Sequence, residues 1–215
     1  MLSIIKSIQL DGLDGYVVNV QVDVSAGMPE WTIVGLPDTS IKESKERVRT
    51  ALKNSEFETL SRKIVINLAP ANIRKEGSFL DLPIAIGILS SLGKIQKVNI
   101  SDMAFIGELS LNGKINPVIG ILPICIEAKK IGIKRLIIPY ENLKEASIVK
   151  DIIIKGAKNL LEVVNFLNEG EDLQGIQKPY NNLINTSYIE KLDFSDVKGQ
   201  ENVKRAVEVA AAGRT

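Results

Sequence analysis

Residues 16–25, YVVNVQVDVS, place apolar side chains at every second position. A period of two puts alternate side chains on opposite sides of an extended chain, so this segment predicts a β-strand with one buried face. The runs IIKSIQL at 4–10, EWTIVGLP at 30–37 and KIVINLAP at 63–70 predict three further strands. We therefore predict that the N-terminal third of the chain forms a β-sheet.

The period changes to that of a helix after Pro37. Apolar residues then recur on one helical face, at Ile41, Val48 and Leu52. We expect a helix from about 38 to 54, which begins either with Asp38 as its N-cap or with Ser40 and Glu43 as a capping box.

The later segments predict a buried helix, a hairpin and then alternating helices and strands. LPIAIGILSSLG at 82–93 is almost continuously apolar; Asp81 begins this helix, and Pro83 lies in its first turn, where a missing N–H costs little. AFIGELSLNGKINPV at 104–118 predicts a hairpin that turns at Asn112-Gly113. The elements expected after it are a helix to 131, a strand at 134–139, a short helix at 141–149, a strand at 151–157 and a helix at 159–168.

The hairpin segment also contains GELSLNGKI, which has some likeness to a phosphate-binding loop. Five residues separate Gly107 from Gly113 where that loop has four, and Ile115 stands where a Mg²⁺-binding hydroxyl is needed. The hairpin interpretation is therefore preferred.

Residues 169–191 break every period and are rich in Asn, Gly and polar side chains, which is typical of a linker. We therefore predict a domain over 1–168, a linker over 169–191 and the start of another module over 192–215.

Composition excludes several classes of site. The net charge is +1, the chain has no histidine, and Cys125 is its single cysteine, expected to pack in a core. These counts exclude a disulfide framework and histidine chemistry, and we expect no metal site. The longest apolar run, 12 residues, is too short to span a bilayer, and the N-terminus lacks a signal peptide's apolar core. We expect a soluble, cytoplasmic protein with no membrane partner.

The runs KEGSFLDLPIA and GELSLNGKINPVIGILPICIEAKKIGIKRLIIP resemble the proteolytic domain of the Lon-type Ser–Lys proteases. This resemblance places the nucleophile position on Phe79 and the general-base position on Leu122. A Ser–Lys dyad needs a hydroxyl and an amine, which Phe and Leu lack, and Ser78 lies one residue away. The resemblance implies a Lon scaffold without catalytic residues.

Two longer runs, GMPEWTIVGLPDTSIKESKERVRTALKNS and INLAPANIRKEGSFLDLPIAIGIL, are similar to the N-terminal domain of the ComM/YifB family of magnesium-chelatase-like proteins. This resemblance covers nearly the whole chain. It implies an α/β fold of the α+β type, like the Lon protease domain and the second domain of ribosomal protein S5. Such a fold has a mixed sheet with helices mainly on one face.

In that family the stretch DFSDVKGQENVKRA leads into an AAA+ ATPase module. The resemblance implies that Val197, Gly199 and Gln200 line part of an adenine pocket. The sequence contains no G-x-x-x-x-G-K-[ST] motif, so we expect a chain shortened just before that motif, with no cofactor of its own. ATP and Mg²⁺ are the cofactors expected of the full-length protein.

Two basic segments are candidates for contact with DNA. Three cations share a narrow arc of the helix predicted at 38–54: Lys42, Arg49 and Lys53. Pairing of Glu43 with Arg47 and of Lys42 with Glu46 would instead make this a solvated, salt-paired face.

The second segment is the loop NIRKEGS, where Arg74 and Lys75 precede a helix. Trp31 is a further candidate, either as a stacking platform for a base or as a core residue.

The family resemblance implies a non-catalytic domain of a DNA-directed AAA+ ring, a hexameric branch-migration motor in recombination and transformation. The domain would serve ring assembly or guide DNA. Two alternatives stay open: a chelatase-type subunit acting on a protein or metal-insertion substrate, and an oligomerisation module without a ligand.

Overall fold

The computed structural model describes residues 2–12, 14–57, 62–95, 100–176 and 198–213. The chain divides into two compact units, Met1–Tyr180 and Asn181–Thr215.

The first unit contains ten strands and five α-helices among its described residues. The strands are β1 Leu2–Asp11, β2 Asp14–Ser25, β3 Glu30–Val34, β4 Lys63–Ala69, β5 Met103–Phe105, β6 Glu108–Leu109, β7 Ile115–Asn116, β8 Arg135–Pro139, β9 Ile153–Ala157 and β10 Gln174–Gly175. The helices are α1 Thr39–Asn54, α2 Asp81–Ser91, α3 Ile121–Ile131, α4 Leu143–Ala146 and α5 Leu160–Glu169, with a 3₁₀ turn at Tyr140–Asn142. In the second unit, α6 spans Glu201–Gly213.

Eight strands form one sheet in the order β10-β9-β8-β5-β1-β2-β4-β3. The pairs β1–β2, β2–β4 and β9–β10 are antiparallel, and the remaining neighbours are parallel. The strands β6 and β7 form a separate hairpin. The sheet is therefore mixed, which confirms the fold class that the sequence predicts.

One face of the sheet, called the first face, carries the larger hydrophobic core. Alternate residues of the central strands point into it, among them Ile5, Val20 and Ile66, each at most 1% exposed. The helices α1, α2 and α5 contribute their apolar residues to the same core. Ten of the eleven residues of α2 are buried, and burial of each large aliphatic side chain contributes about 1.5–3 kcal/mol.

The helix α2 approaches the sheet closely because of a glycine. A Cβ on Gly87 would lie 2.6 Å from Cγ2 of Val22 on β2, which is closer than such atoms pack. Ser91 of α2 also donates its hydroxyl proton to the Val22 carbonyl oxygen, at 2.9 Å. These contacts hold α2 close against β2.

The opposite face, called the second face, is covered by α3 and α4 over β1, β5, β8 and β9. Its core includes Ile8, Leu136 and Ile154 from the strands and Ile124 and Ala146 from the helices. Three of the five described helices of the unit thus contribute to the first face and two to the second.

The boundaries of several elements differ from the predictions. Asp38 caps α1, because its Oδ1 accepts the Ile41 N–H at 2.7 Å; the alternative capping box with Ser40 is wrong. The strand β5 pairs with β1 and β8, so the predicted hairpin is confirmed only for β6 and β7. The segment predicted as a linker begins at 169, yet β10 lies inside it and pairs with β9.

Among the described residues, every helix is too short or too polar to cross a bilayer.

Candidate functional site

The loop between β4 and α2 is attached to the start of α1. The Asp38 N–H donates to the Lys75 carbonyl oxygen at 3.0 Å, and the Lys75 N–H donates to the Leu36 carbonyl oxygen at 3.1 Å. Oδ2 of Asp38 accepts the Gly77 N–H at 3.1 Å. One carboxylate therefore caps α1 and holds the loop, so the two sequence runs that carry the family resemblance meet here.

Lys75 is the buried centre of this loop. Its side chain is 0% exposed, and its Nζ donates to the carbonyl oxygens of Pro70 and Ile73, the latter at 2.7 Å. Burial lowers the pKa of the Lys75 ammonium below its ordinary value. The prediction that Lys75 contacts DNA is wrong, because an ammonium enclosed in this way cannot reach a phosphate.

The start of α2 is joined to α1 by a partly buried ion pair. Nε of Arg47 lies 2.8 Å from Oδ2 of Asp81, and its Nη2 lies 3.1 Å from Oδ1, which is bidentate geometry. Asp81 is fully buried and also accepts the Leu109 N–H at 3.2 Å. Burial raises the pKa of the Asp81 carboxyl, and the Arg47 guanidinium opposes this shift. The pair links α1, α2 and the β6–β7 hairpin.

A second polar group lies at the same junction. Ser78 donates its hydroxyl proton to Oε2 of Glu108, and Nδ2 of Asn116 donates to Oε1 of Glu108 at 3.0 Å. The Ser78 hydrogen bond holds the pKa of the Glu108 carboxyl below its ordinary value. A carboxylate with a lowered pKa is a weak base, so this arrangement does not activate Ser78 as a nucleophile.

The two positions that correspond to the protease dyad carry hydrocarbon side chains. Phe79 is half-buried and packs against the cores on both faces of the sheet. Leu122 lies in the first turn of α3, where its N–H donates to Oε1 of Glu145 at 3.2 Å. Neither side chain can attack a carbonyl or accept a proton, so these two positions do not form a Ser–Lys dyad.

The outer surface of α1 carries exposed cations. Lys42, Arg49 and Lys53 are exposed, and none of them forms an ion pair with another residue that the structure describes. Glu43 pairs instead with Arg47, at 3.8 Å. The helix therefore keeps a basic stripe of these three cations along its solvent side, interrupted by the exposed carboxylate of Glu46.

Arg74 is the exposed cation of the neighbouring loop. Its side chain is 69% exposed, and its Nε lies 3.5 Å from Oε1 of Glu76. Because Asp38 holds this loop against the first turn of α1, Arg74 is a candidate for extending the basic stripe. Its role stays a prediction.

Of the other residues singled out in the sequence, two pack in a core and the rest belong to the second unit. Trp31 is half-buried and packs against the first-face core, which favours the core interpretation. Cys125 is fully buried, and burial raises the pKa of its thiol to about 12. Gly199 and Gln200 directly precede α6, and Val197 lies outside the described residues. Their assignment to an adenine pocket stays a prediction.

The valines of α6 are exposed, with exposed fractions of 56% for Val203 and 44% for Val207. Within the described residues, no group of three or more Asp, Glu, Cys or His side chains is arranged to hold a metal ion.

Sequence reasoning missed the two polar links of this junction. Arg47 was expected to pair with Glu43 on the helix surface, whereas its strongest partner is Asp81, 34 residues later. An acidic residue that begins a wholly apolar helix is a signal that can identify such a pair, because a buried carboxylate needs a cation.

Comparison with known proteins matches the chain to one family. The family model described as subunit ChlI of Mg-chelatase matches residues 20–142. The competence protein ComM of Haemophilus influenzae is 39% identical over 214 residues, which cover 99% of this chain and 42% of that protein. The YifB protein of Escherichia coli is 37% identical over 99% of this chain and 41% of its own length.

A more distant likeness connects the chain to proteases. Lon protease 2 of Bacillus subtilis is 31% identical over 170 residues, which cover 70% of this chain and 30% of the protease. The chain spans about two fifths of the length of ComM and YifB.

Proposed function

Because the chain belongs to the ChlI family of magnesium-chelatase-like proteins, in the group of ComM and YifB, we propose that it is a non-proteolytic domain of a DNA-directed AAA+ ATPase. The full-length protein would form a ring, a hexamer by analogy with other AAA+ motors. It would use ATP and Mg²⁺ to move branched DNA in recombination or transformation.

The observation that carries this proposal is the 39% identity, along 99% of the chain, to a protein named for competence. The basic stripe of α1 supports it physically. Lys42 and Lys53 are eleven residues apart, about 16 Å along the helix axis, so the stripe can contact several successive phosphates. A chain with a net charge of +1 can bind DNA only through such a local patch.

The proposed role of this domain is to guide DNA, with ring assembly as a further role. Lys75 takes no part in it, whereas Arg74 and the α1 cations do. The Ser78 and Phe79 region contributes no peptidase activity, because its hydroxyl is bonded to a carboxylate of lowered pKa and no amine occupies the Leu122 position. A serine-reactive fluorophosphonate probe should therefore leave the protein unlabelled.

The binding of labelled duplex and branched DNA, followed by fluorescence anisotropy over a range of salt concentrations, tests the proposal. We expect the triple variant Lys42→Glu, Arg49→Glu, Lys53→Glu to bind DNA much more weakly, with a reduced dependence on salt. For each phosphate that these cations neutralise in the native protein, the slope of log K against log salt should fall in magnitude by about 0.9.

The matched control reverses three exposed lysines outside α1: Lys94, Lys134 and Lys150. It has the same net charge as the stripe variant. If both variants weaken DNA binding equally, the stripe is not a binding site and the interaction follows net charge alone.

The family description itself favours a second candidate, a chelatase-type subunit that acts on a protein or metal-insertion substrate. A third candidate is an oligomerisation module without a ligand. Sedimentation of the protein with and without DNA tests the third candidate: self-association with no DNA affinity, unchanged in the stripe variant, favours the oligomerisation module.

A further inference from the structure

A cavity of about 530 Å³ lies between the β6–β7 hairpin and the carboxyl ends of β8 and β9. Its walls include Lys114 and Ile115 of the hairpin, Tyr140 and Glu141 after β8, and Lys158 after β9. This volume is within the range of about 300–1,000 Å³ that is usual for small-molecule sites. None of these residues belongs to the basic stripe or to the dyad positions.

The path of the chain explains why a cavity forms here. After β8 the chain continues through the 3₁₀ turn into α4, whose residues pack in the second-face core. After the neighbouring parallel strand β9 it continues into α5, which packs in the first-face core. The two connections leave the sheet in opposite directions, and crevices of this kind are the usual ligand sites of open α/β sheets.

The walls of the cavity are joined by backbone hydrogen bonds. The Ile115 N–H donates to the Lys158 carbonyl oxygen at 2.8 Å, and the Leu160 N–H donates to the Gly113 carbonyl oxygen at 2.9 Å. These bonds attach the hairpin to the junction of β9 and α5. The cavity is therefore formed before any ligand binds.

Lys158 supplies an available positive charge to this cavity. Its side chain is exposed, its Nζ lies 4.7 Å from the centre of the Tyr140 ring, and it forms no ion pair with another described residue. The other ammonium, that of Lys114, lies 3.1 Å from Oε1 of Glu141. The Lys158 ammonium is thus available to bind an anion, whereas the Lys114 ammonium is partly neutralised by Glu141.

The N-terminus of α5 does not itself provide the site. Oδ1 of Asn159 accepts the Glu162 N–H at 2.9 Å, and Oε2 of Glu162 accepts the Lys158 N–H at 2.7 Å, so this end of the helix is already capped. A smaller neighbouring pocket shares Tyr140 and Lys158 and adds the carboxylates of Glu162, Glu171 and Asp172, of which Asp172 is paired with Lys155 at 2.6 Å. These negative charges disfavour ligands of high negative charge.

We propose that this cavity binds a small phosphate monoester of the size of a nucleoside monophosphate. Lys158 contacts the phosphate, and the Tyr140 ring contacts the uncharged part of the ligand. A single free ammonium beside several carboxylates favours a monophosphate over a triphosphate. This site is separate from the α1 stripe and does not depend on the proposed DNA-directed function.

Titration calorimetry with AMP, ATP and inorganic phosphate tests the proposal. We expect AMP to bind more tightly than either ATP or inorganic phosphate, and Lys158→Met to weaken AMP binding about tenfold or more, as expected for loss of a charge-assisted hydrogen bond. The control Lys94→Met removes an exposed lysine elsewhere and should leave AMP binding unchanged. Glu141→Gln should tighten AMP binding, because it releases Lys114 from its ion pair.

Two single-stranded oligonucleotides, with and without a 5′ phosphate, identify the source of the phosphate. If the 5′-phosphorylated strand competes with AMP through Lys158, the phosphate can also come from a nucleic-acid end; if it does not, the ligand is a free nucleotide. The proposal is overturned if AMP and the 5′-phosphorylated strand both fail to bind, or if both bind Lys158→Met as well as the native protein. The α1 stripe variant should retain AMP binding even if it loses DNA.

Discussion

Arg47 and Asp81 form a bidentate ion pair that connects three elements, and Asp81 is fully buried, so removal of Arg47 leaves an unpaired carboxylate in the core. We expect Arg47→Met to lower the free energy of unfolding by about 3–5 kcal/mol at neutral pH. The double variant Arg47→Met, Asp81→Asn should recover part of this loss. Urea unfolding at pH 7 measures both values.

The pH dependence of the Arg47→Met variant follows from the Asp81 carboxyl. Burial already raises the pKa of Asp81, and loss of the guanidinium raises it further, since Arg47 opposes the shift. A carboxyl with a raised folded-state pKa is stabilising below its unfolded value and loses this contribution as the pH rises through the folded value. The deficit of the variant should therefore be smaller at pH 4 than at pH 8. A deficit that grows on acidification would contradict this assignment.

Burial of Lys75 is expected to change stability with pH in the opposite direction. Burial lowers the pKa of its ammonium below the ordinary 10.5, so between the folded value and 10.5 the unfolded chain holds more protons than the folded chain. Stability therefore rises with pH across that interval. Urea midpoints at pH 7, 8.5 and 10 should show the native protein gaining stability relative to Lys75→Met. A difference that stays flat or falls would show that the amine is not desolvated.

At the scale of the element, Asp38 determines where α1 begins. Its carboxylate caps the helix and also binds the Gly77 N–H of the loop before α2. We expect Asp38→Ala to reduce stability by about 1–2 kcal/mol, which is the upper part of the range for N-cap loss. The matched control is Ser40→Ala, because Ser40 lies inside the helix and its carbonyl, which Arg47 contacts, is retained. Thermal unfolding that shows equal losses in the two variants would contradict the assignment of the cap.

The spacing of apolar residues predicted most elements of the first unit, because neighbouring residues determine whether a segment forms a helix or a strand. The alternation of 16–25 and the apolar run of 82–93 were sufficient to identify β2 and α2. The start of α1 could not be decided, because Asp38 and Ser40 are both good N-cap residues, and no local pattern shows that Asp38 also binds Gly77, 39 positions later. The strand β10 was missed because two residues carry no period.

Only part of the candidate site could be predicted, because only some of its properties depend on neighbouring residues in the sequence. The sequence is sufficient to exclude a Ser–Lys dyad, since Phe79 and Leu122 lack the required atoms wherever they lie. The exposure of a charged residue is a property of the whole fold: Arg74 and Lys75 are adjacent and look alike in sequence, yet one is exposed and the other is enclosed by carbonyl oxygens. The cavity beside Lys158 depends on two connections that diverge from the sheet, which no local pattern indicates.

At the scale of the whole molecule, residues that follow α5 complete the first-face core of the sheet. Leu173 is only 6% exposed and belongs to that core, and β10 adds an antiparallel pair to β9. A chain that ends after Asn168, at the predicted domain boundary, lacks both features. A chain that ends after Ile176 keeps them.

We expect the protein ending after Asn168 to be less stable than the one ending after Ile176 by about 2–5 kcal/mol, the usual cost of losing a buried leucine. Leu173→Ala in the longer protein isolates the packing contribution and should account for most of the difference. It leaves in place the pair of Lys155 with Asp172 and the strand β10. Urea unfolding of the three proteins makes the comparison. Equal stability of the two lengths would mean that the core is complete at α5 and that β10 adds nothing to the fold.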